Sequence, residues 1–180
     1  MVPVLITSNR SKAGKVFFII GLAQNLMQQG YNVGYIKPLG TIPIKKGPDV
    51  YDEDAVFIKA ALGLSDSLNI ISPFVLGYET QNRLLESGIK DERKQVMAAF
   101  YALKKRDFVL IHGGGDIFEW TALNIDAISL AEEMDARVIM IEPLRGDVSM
   151  DAILGAHKLF GLQFCGGVMN SPTTKPSQQF

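Results

Sequence analysis

The segment Ile6-Thr7-Ser8-Asn9-Arg10-Ser11-Lys12-Ala13-Gly14-Lys15-Val16 leaves an apolar strand, crosses a polar loop and enters a helix at Gly14-Lys15. That order is the signature of a phosphate-binding loop. Backbone N–H groups and the helix N-terminus hold phosphate oxygens, and the lysine neutralises the terminal ones. In the complete motif the residue after the lysine is Ser or Thr, whose hydroxyl binds magnesium. Val16 stands in that place and has no oxygen to offer. The chain is therefore expected to recognise a nucleotide or phosphate through Ser8, Asn9, Arg10, Ser11, Lys12, Ala13, Gly14, Lys15 and Val16. It has poor means for ordinary magnesium-dependent phosphoryl transfer.

A second junction of the same kind follows Asp107 to His112, an apolar run that ends in Gly113-Gly114-Gly115-Asp116. The glycines permit close backbone approach to a ligand. They do not make a dinucleotide fingerprint, because the Gly-x-Gly-x-x-Gly spacing is absent. His112 could serve as a general base or as a pH-sensitive group beside a phosphate, its ordinary pKa being ~6.5. Equally, it could be a strand-end histidine bonded to a carbonyl. Arg10 and Lys12 add two cations to a loop without a metal hydroxyl, so a carboxylate or phosphate could be neutralised directly. The alternative is that both only solvate an exposed loop. Asp49, Asp52, Glu53 and Asp54 crowd the approach to another helix, where acids also suit the helix dipole without any function.

Other chemistry finds little support. His157, His112 and Cys165 are at unrelated spacings and form no zinc pattern. Cys165 lacks a basic neighbour in sequence and reads as a small buried hydrophobe. His157 reads as a helix-face residue. Trp120 and Phe118 are expected to pack or line a subunit contact rather than stack a base.

The elements that must position these groups alternate between short apolar strands and amphipathic helices. Strands are expected over Val2 to Thr7, Asn32 to Lys37, Asp107 to His112, Arg137 to Glu142 and Phe164 to Met169. Helices are expected over Val16 to Gln29, from the acids of Asp49 to Asp54 through to Leu62, and over Asp91 to Lys105, Asn124 to Met134 and Met150 to Phe160. Gly40 to Asp49 reads as irregular. Leu68 to Leu76, interrupted by Ser72-Pro73, reads as extended. Continuous apolar strands separated by helices predict a mostly parallel sheet covered on both faces, with chemistry in the loops after its strands. Residues 1–170 are expected to form one domain. The polar stretch 171–180 is expected to be a linker or tail that leads to a further domain.

Length and composition agree: 180 residues, 47% hydrophobic, 21% charged and a net charge of -1 suit a single full-sized core. Lys45-Lys46 and Lys104-Lys105-Arg106 are too short to make the basic stripe that nucleic-acid binding needs. No apolar run approaches the ~20 residues of a membrane span, and Val2-Pro3-Val4 follows the first methionine without a basic leader. With a single cysteine, a reducing, cytoplasmic setting is expected.

Taken in order, several motifs resemble those of a known family. They are Thr7-Ser8, Gly14-Lys15, Gly34-Tyr35-Ile36-Lys37-Pro38, Asp52-Glu53-Asp54-Ala55, His112-Gly113-Gly114-Gly115 and Gly167-Val168-Met169-Asn170. Together they look like the dethiobiotin synthetase and cobyrinic acid a,c-diamide synthase group of P-loop proteins, over essentially the whole chain. Within it the chain is most similar to the amino-terminal domain of long phosphotransacetylases and of proteins carrying a DRTGG domain. The resemblance implies a three-layer α/β P-loop NTPase-like fold that binds ATP and forms a homodimer with the site near the subunit interface. It also implies that Lys15 contacts phosphates, that Lys37 holds the transferred phosphate and the acid it activates, and that Asn170 reads the adenine edge. Magnesium in that group is held by the loop Ser/Thr, an acid here matched by Asp54 or Asp52, and a glutamate here replaced by His112. Only the acid survives. Three functions are left open: a regulatory nucleotide- or anion-binding domain, an ATP-dependent ligase or amide-forming synthetase that activates a carboxylate or carbamate, and a dimerisation module.

Overall fold

A computed structural model describes residues 1–77, 92–145 and 147–170. Strands β1 (Val2–Ser8), β2 (Val33–Ile36), β7 (Phe108–His112), β8 (Arg137–Pro143) and β9 (Phe164–Asn170) form one five-stranded sheet in the order β2-β7-β1-β8-β9. Every pairing in it is parallel. Leu5 and Ile6 of the central strand are both fully buried although they point to opposite faces. That two-sided burial is why β1 and β7 read as continuous apolar runs rather than alternating ones.

Each face has its own core. On one side Ile6, Tyr35, Leu110 and Ile141 meet Ile19 and Ala23 of α1 (Lys15–Gln28) and Ile58 of α2 (Glu53–Leu62). On the other, Leu5, Ile111 and Met140 meet Phe100 of α4 (Glu92–Ala102), Leu130 of α5 (Ala127–Glu133) and Phe160 of α6 (Asp147–Phe160). The expected three-layer α/β architecture with a parallel sheet is what forms. Because all five strands run the same way, every loop after a strand opens on one edge of the molecule.

Several local expectations need correction, among them the start of α6, which lies at Asp147 rather than Met150. The stretch Gly40 to Asp49 is not irregular throughout: β4 (Pro43–Lys46) and β5 (Asp49–Asp52) form an antiparallel hairpin, turned by Gly47 at φ 63°. The hairpin claims Asp49, and the helix starts only at Glu53 because the Asp52 carboxylate accepts the Ala55 N–H as an N-cap. Leu68 to Leu76 divides into a single helical turn, α3 (Leu68–Ile71), and the two-residue β6 (Phe74–Val75), which pairs with β3 (Leu39–Gly40). Helix α5 begins three residues later than Asn124, since Asp126 caps it by accepting from Ile128 and Ser129 N–H. Cys165 is exposed rather than buried, because it lies on β9, the edge strand. No helix among the described residues is long and apolar enough to cross a membrane. The expected tail 171–180 lies outside the described residues.

Candidate nucleotide site

The loop between β1 and α1 turns sharply, with Lys12 at φ 60° and Gly14 at φ 100°. Gly14 is doubly required. A side chain is strained at that φ, and a Cβ would sit 2.2 Å from Asn170 Nδ2. The helix that follows has no side-chain N-cap and no acid in its first turn, so its opening N–H groups face outward without a carboxylate against them. Such an end attracts an anion.

Lys15 is buried, and its Nζ donates to Ser8 Oγ at 2.6 Å, whose own hydroxyl donates to the Arg10 carbonyl at 2.7 Å. The lysine therefore lies folded against its own loop. Burial lowers its pKa to about 8, and Glu119, Asp54 and Asp116 offset part of that fall while Lys37 adds to it. An ammonium so placed gains strongly from an added negative charge.

Opposite the loop, Lys37 follows β2 and donates to Asp52 Oδ1 at 2.8 Å and Asp54 Oδ2 at 2.7 Å. The two acids differ. Asp52 is fully buried, and besides Lys37 it accepts from Ala55, Thr41 and Ile42 N–H at 3.1, 2.9 and 3.0 Å, so its carboxylate has a complete set of donors. Gly40 lies so close that a Cβ there would stand 2.6 Å from Asp52 Cβ. Asp54 sits in the first turn of the helix, partly exposed, and borders the cleft. Of the two acids the sequence left open, Asp52 is built into the scaffold and Asp54 faces the ligand space.

His112 ends β7 beside Lys15 and Lys37, both of which, after burial itself, hold its pKa well below the usual imidazole value. Its Nδ1 lies 3.0 Å from the Tyr35 hydroxyl. Gly113 then passes so near β1 that a Cβ would be 3.0 Å from the Ile6 carbonyl, and a Cβ on Gly115 would lie 2.5 Å from Ser11 Oγ. Gly113 and Gly115 thus also pack the loop against β1 and the phosphate loop.

These groups surround a cleft of about 470 Å³. Ser11, Lys12, Ala13, Gly14, Lys15, Val16, Lys37, Asp54 and His112 all line it, together with Phe17, Leu39, Thr41, Ile42 and Gly113 to Gly115. Ser8 acts from beneath, through Lys15. Asn9, Arg10 and Asn170 do not line the cleft. Asn170 Nδ2 donates to the Ala13 carbonyl at 2.9 Å, tying the last strand to the loop. Arg10 Nε turns away to Glu142, 3.4 Å off.

Three site residues escaped sequence reasoning. Glu142 is a buried acid at the end of β8, with Oε2 lacking a hydrogen-bond partner. An acid closing an apolar parallel strand is a legible signal, because that strand end borders the loops where chemistry is kept. Glu119 accepts the Gly115 N–H, and the Asp116 carboxylate folds this loop by accepting Phe118 and Glu119 N–H. Its place near Lys15 depends on that turn and has no sequence signature. Tyr35 lies in a strand and looks like core until the His112 contact is seen. Among the described residues no group of three or more His, Cys, Asp or Glu side chains could hold a metal ion.

A family model described as an AAA domain matches residues 3–179. The chain belongs to this family, the dethiobiotin-synthetase-like P-loop proteins. It is a P-loop nucleotide-binding domain. Among curated proteins, it is 30% identical over 142 residues to the ATP-dependent dethiobiotin synthetase of Aquifex aeolicus, covering 77% of this chain and 61% of that one. The enzyme of the same name from Methanocaldococcus jannaschii is 27% identical over 123 residues, 63% of this chain and 53% of its own. The match thus spans little more than half the length of these relatives. Among solved structures, the kinase domain of Escherichia coli tyrosine kinase ETK aligns with TM-score 0.58 at 15% identity over 99% of this chain and 71% of that chain. The signal recognition particle receptor FtsY from Elizabethkingia anophelis in complex with GDP aligns with TM-score 0.52 at 14% identity, covering 95% and 48%. At such identities these two establish the fold alone, and they place the dethiobiotin-synthetase-like domain on the P-loop scaffold.

Proposed function

We propose that this domain binds a nucleotide, or another phosphate-bearing anion, without needing magnesium, and that binding serves regulation within a larger protein. One observation supports the reading: Lys15 and the loop are in place while the three positions where the family holds magnesium carry Val16, a lysine-bound Asp54 and His112. Val16 lacks an oxygen, the Asp54 carboxylate is engaged by Lys37, and His112 offers an imidazole nitrogen where magnesium prefers oxygen. The residues present do not fit that metal. They do fit phosphates, which would meet the loop N–H groups from Ser11 to Lys15, with Lys15 and Lys12 supplying charge. A bound phosphate competes with Ser8 for Lys15 and with Asp54 for Lys37. Ligand binding would thereby loosen two internal contacts, a way to change the set of the β4–β5 hairpin and α2. The orientation of an attached domain, as in long phosphotransacetylases, or of a second copy in a homodimer, would be the output.

Isothermal titration with ADP, ATP and a nonhydrolysable ATP analogue, each with magnesium and with EDTA, tests this. Equal affinity in both conditions is expected. Strict magnesium dependence would overturn it, and no heat in any arm would leave the dimerisation module as the better account.

The second reading is an ATP-dependent ligase of the dethiobiotin synthetase or cobyrinic acid a,c-diamide synthase type. The names of the curated relatives favour it, as does Lys37 in the lining of the cleft. In that case Lys15 and Lys37 would stabilise developing phosphate charge. Recovery of magnesium-dependent ATP hydrolysis in the double variant Val16→Thr, His112→Glu would mark the chain as a degenerate enzyme.

A further inference from the structure

Tyr35 and His112 form a hydrogen-bonded pair at the cleft. Tyr35 is fully buried in β2, and His112 lies on the neighbouring strand β7, where Ile36 pairs with Ile111. The Tyr35 hydroxyl meets Nδ1 at 3.0 Å, and among the described residues it has no other hydrogen-bond partner. A neutral imidazole carries its proton on one nitrogen and accepts at the other. If Nδ1 carried it, Nδ1–H would donate to the tyrosine oxygen, and the hydroxyl hydrogen would be buried with no acceptor. If Nε2 carries it, the hydroxyl donates to Nδ1 and every buried polar group of the pair is satisfied. An unmet buried donor costs about 1–3 kcal/mol, enough to make one tautomer dominate roughly five- to 150-fold.

We propose that Tyr35 is a positioning residue that holds the neutral His112 ring with Nε2–H presented to the cleft, where it donates to an oxyanion held beside Lys15 and Lys37. The inference rests on the anion-binding reading above and names what that site recognises: a fully ionised phosphate oxygen, an acceptor only. With its Nε2 lone pair used by the proton, His112 neither removes a proton from a substrate nor coordinates a metal from that nitrogen. A glutamate at this position would repel the same oxyanion unless a cation intervened. The Tyr35–His112 pair thus suits an anion that arrives without magnesium.

The test is ¹⁵N NMR of the histidine side chains in the full chain, with His157→Gln used to assign the two rings. The expected ligand-free spectrum of His112 has a protonated Nε2 and an unprotonated, hydrogen-bonded Nδ1. A protonated Nδ1 would overturn the proposal. Tyr35→Phe should blur this pattern into a mixture of tautomers and weaken ADP binding in EDTA by about fivefold, the worth of one ordinary hydrogen bond. Should that variant fold poorly, His112→Gln and His112→Leu carry the same comparison. Glutamine keeps a neutral N–H donor and should hold affinity within about threefold, whereas leucine should lose about tenfold. Addition of ADP or inorganic phosphate in EDTA should move the Nε2–H resonance. If ADP binds with measurable heat but this resonance stays fixed, the donor role fails while the anion-binding reading stands. If ADP gives no heat, that reading fails, and an unmoved resonance removes the donor role with it.

Discussion

The two walls of the cleft are built on opposite plans. On the phosphate-loop wall the donors are left open: the first turn of α1 contains no acid, and among the described residues Lys15 donates only to the hydroxyl of Ser8. On the facing wall the charges are already spent on each other, Lys37 with Asp52 and Asp54, and Asp52 with three backbone N–H groups besides. On the proposed reading the loop wall receives charge, and the facing wall is a scaffold that supplies its own. Perturbing the first should therefore change binding with little effect on folding, and perturbing the second should do the reverse.

The largest effect should come from Asp52→Ala. It strips a buried lysine of one partner and leaves three N–H groups of the α2 entry and the Gly40 to Ile42 turn without an acceptor. Removing one member of a buried ion pair costs about 3–5 kcal/mol. Urea unfolding should register a loss of that size, and a loss under about 1 kcal/mol would show that the facing wall is not scaffold. Asp54→Asn, two residues along the chain but partly exposed, should shift stability by less than about 1 kcal/mol.

Lys15→Ala should break the loop wall in the complementary way. A charge-assisted contact to phosphate is worth about 1.5–3 kcal/mol, so ADP affinity in EDTA should fall roughly ten- to 150-fold. Thermal stability should not fall, because the substitution also removes an ammonium that burial disfavours. Unchanged affinity would reject the loop as the ligand site.

How much of this contrast was legible beforehand follows the same division. The loop wall depends on local order along the chain, Gly14-Lys15 between strand and helix, and that order was readable along with the parallel strands that carry it. The facing wall depends on contacts across the sheet. Nothing in the acidic run Asp52-Glu53-Asp54 distinguishes the capping acid from the cleft acid until the β4–β5 hairpin fixes where the helix begins. The hairpin itself was hidden because Pro43 and the lysines at its tip read as loop. Tyr35 and Glu119 reach the site only through register or a side-chain turn, Glu142 was legible as an acid closing an apolar strand, and Cys165 read as core because edge and central strands share the same apolar composition.

A pH titration sharpens the comparison further. Lys15 has its pKa lowered to about 8 by burial first of all. A bound anion favours the ammonium form, so the complex holds its proton to a higher pH than the free protein. Affinity should therefore be level up to about pH 8 and fall above it, by at most tenfold per unit, one proton being linked to binding. Titration of ADP in EDTA from pH 7.5 to 9.5 measures this at roughly constant phosphate charge. His112, kept neutral chiefly by burial and then by the two lysines, should add no step of its own in that range.

The smallest effect is expected from Val16→Thr, which returns the missing hydroxyl to the loop wall alone. Magnesium demands near-octahedral oxygen coordination and gives up water reluctantly, so one hydroxyl contributes little unless a carboxylate helps orient the hydrated ion. Asp54 is the only acid of the facing wall that borders the cleft among the described residues, and Lys37 holds it at 2.7 Å. To serve the metal it must leave a lysine that is itself buried and would keep only Asp52. Adding magnesium should consequently change ADP affinity less than about threefold in this variant, as in the parent chain. A gain above about tenfold, some 1.4 kcal/mol, would mean that Asp54 leaves Lys37 readily. The facing wall would then yield an acid to the metal rather than stand as a closed scaffold.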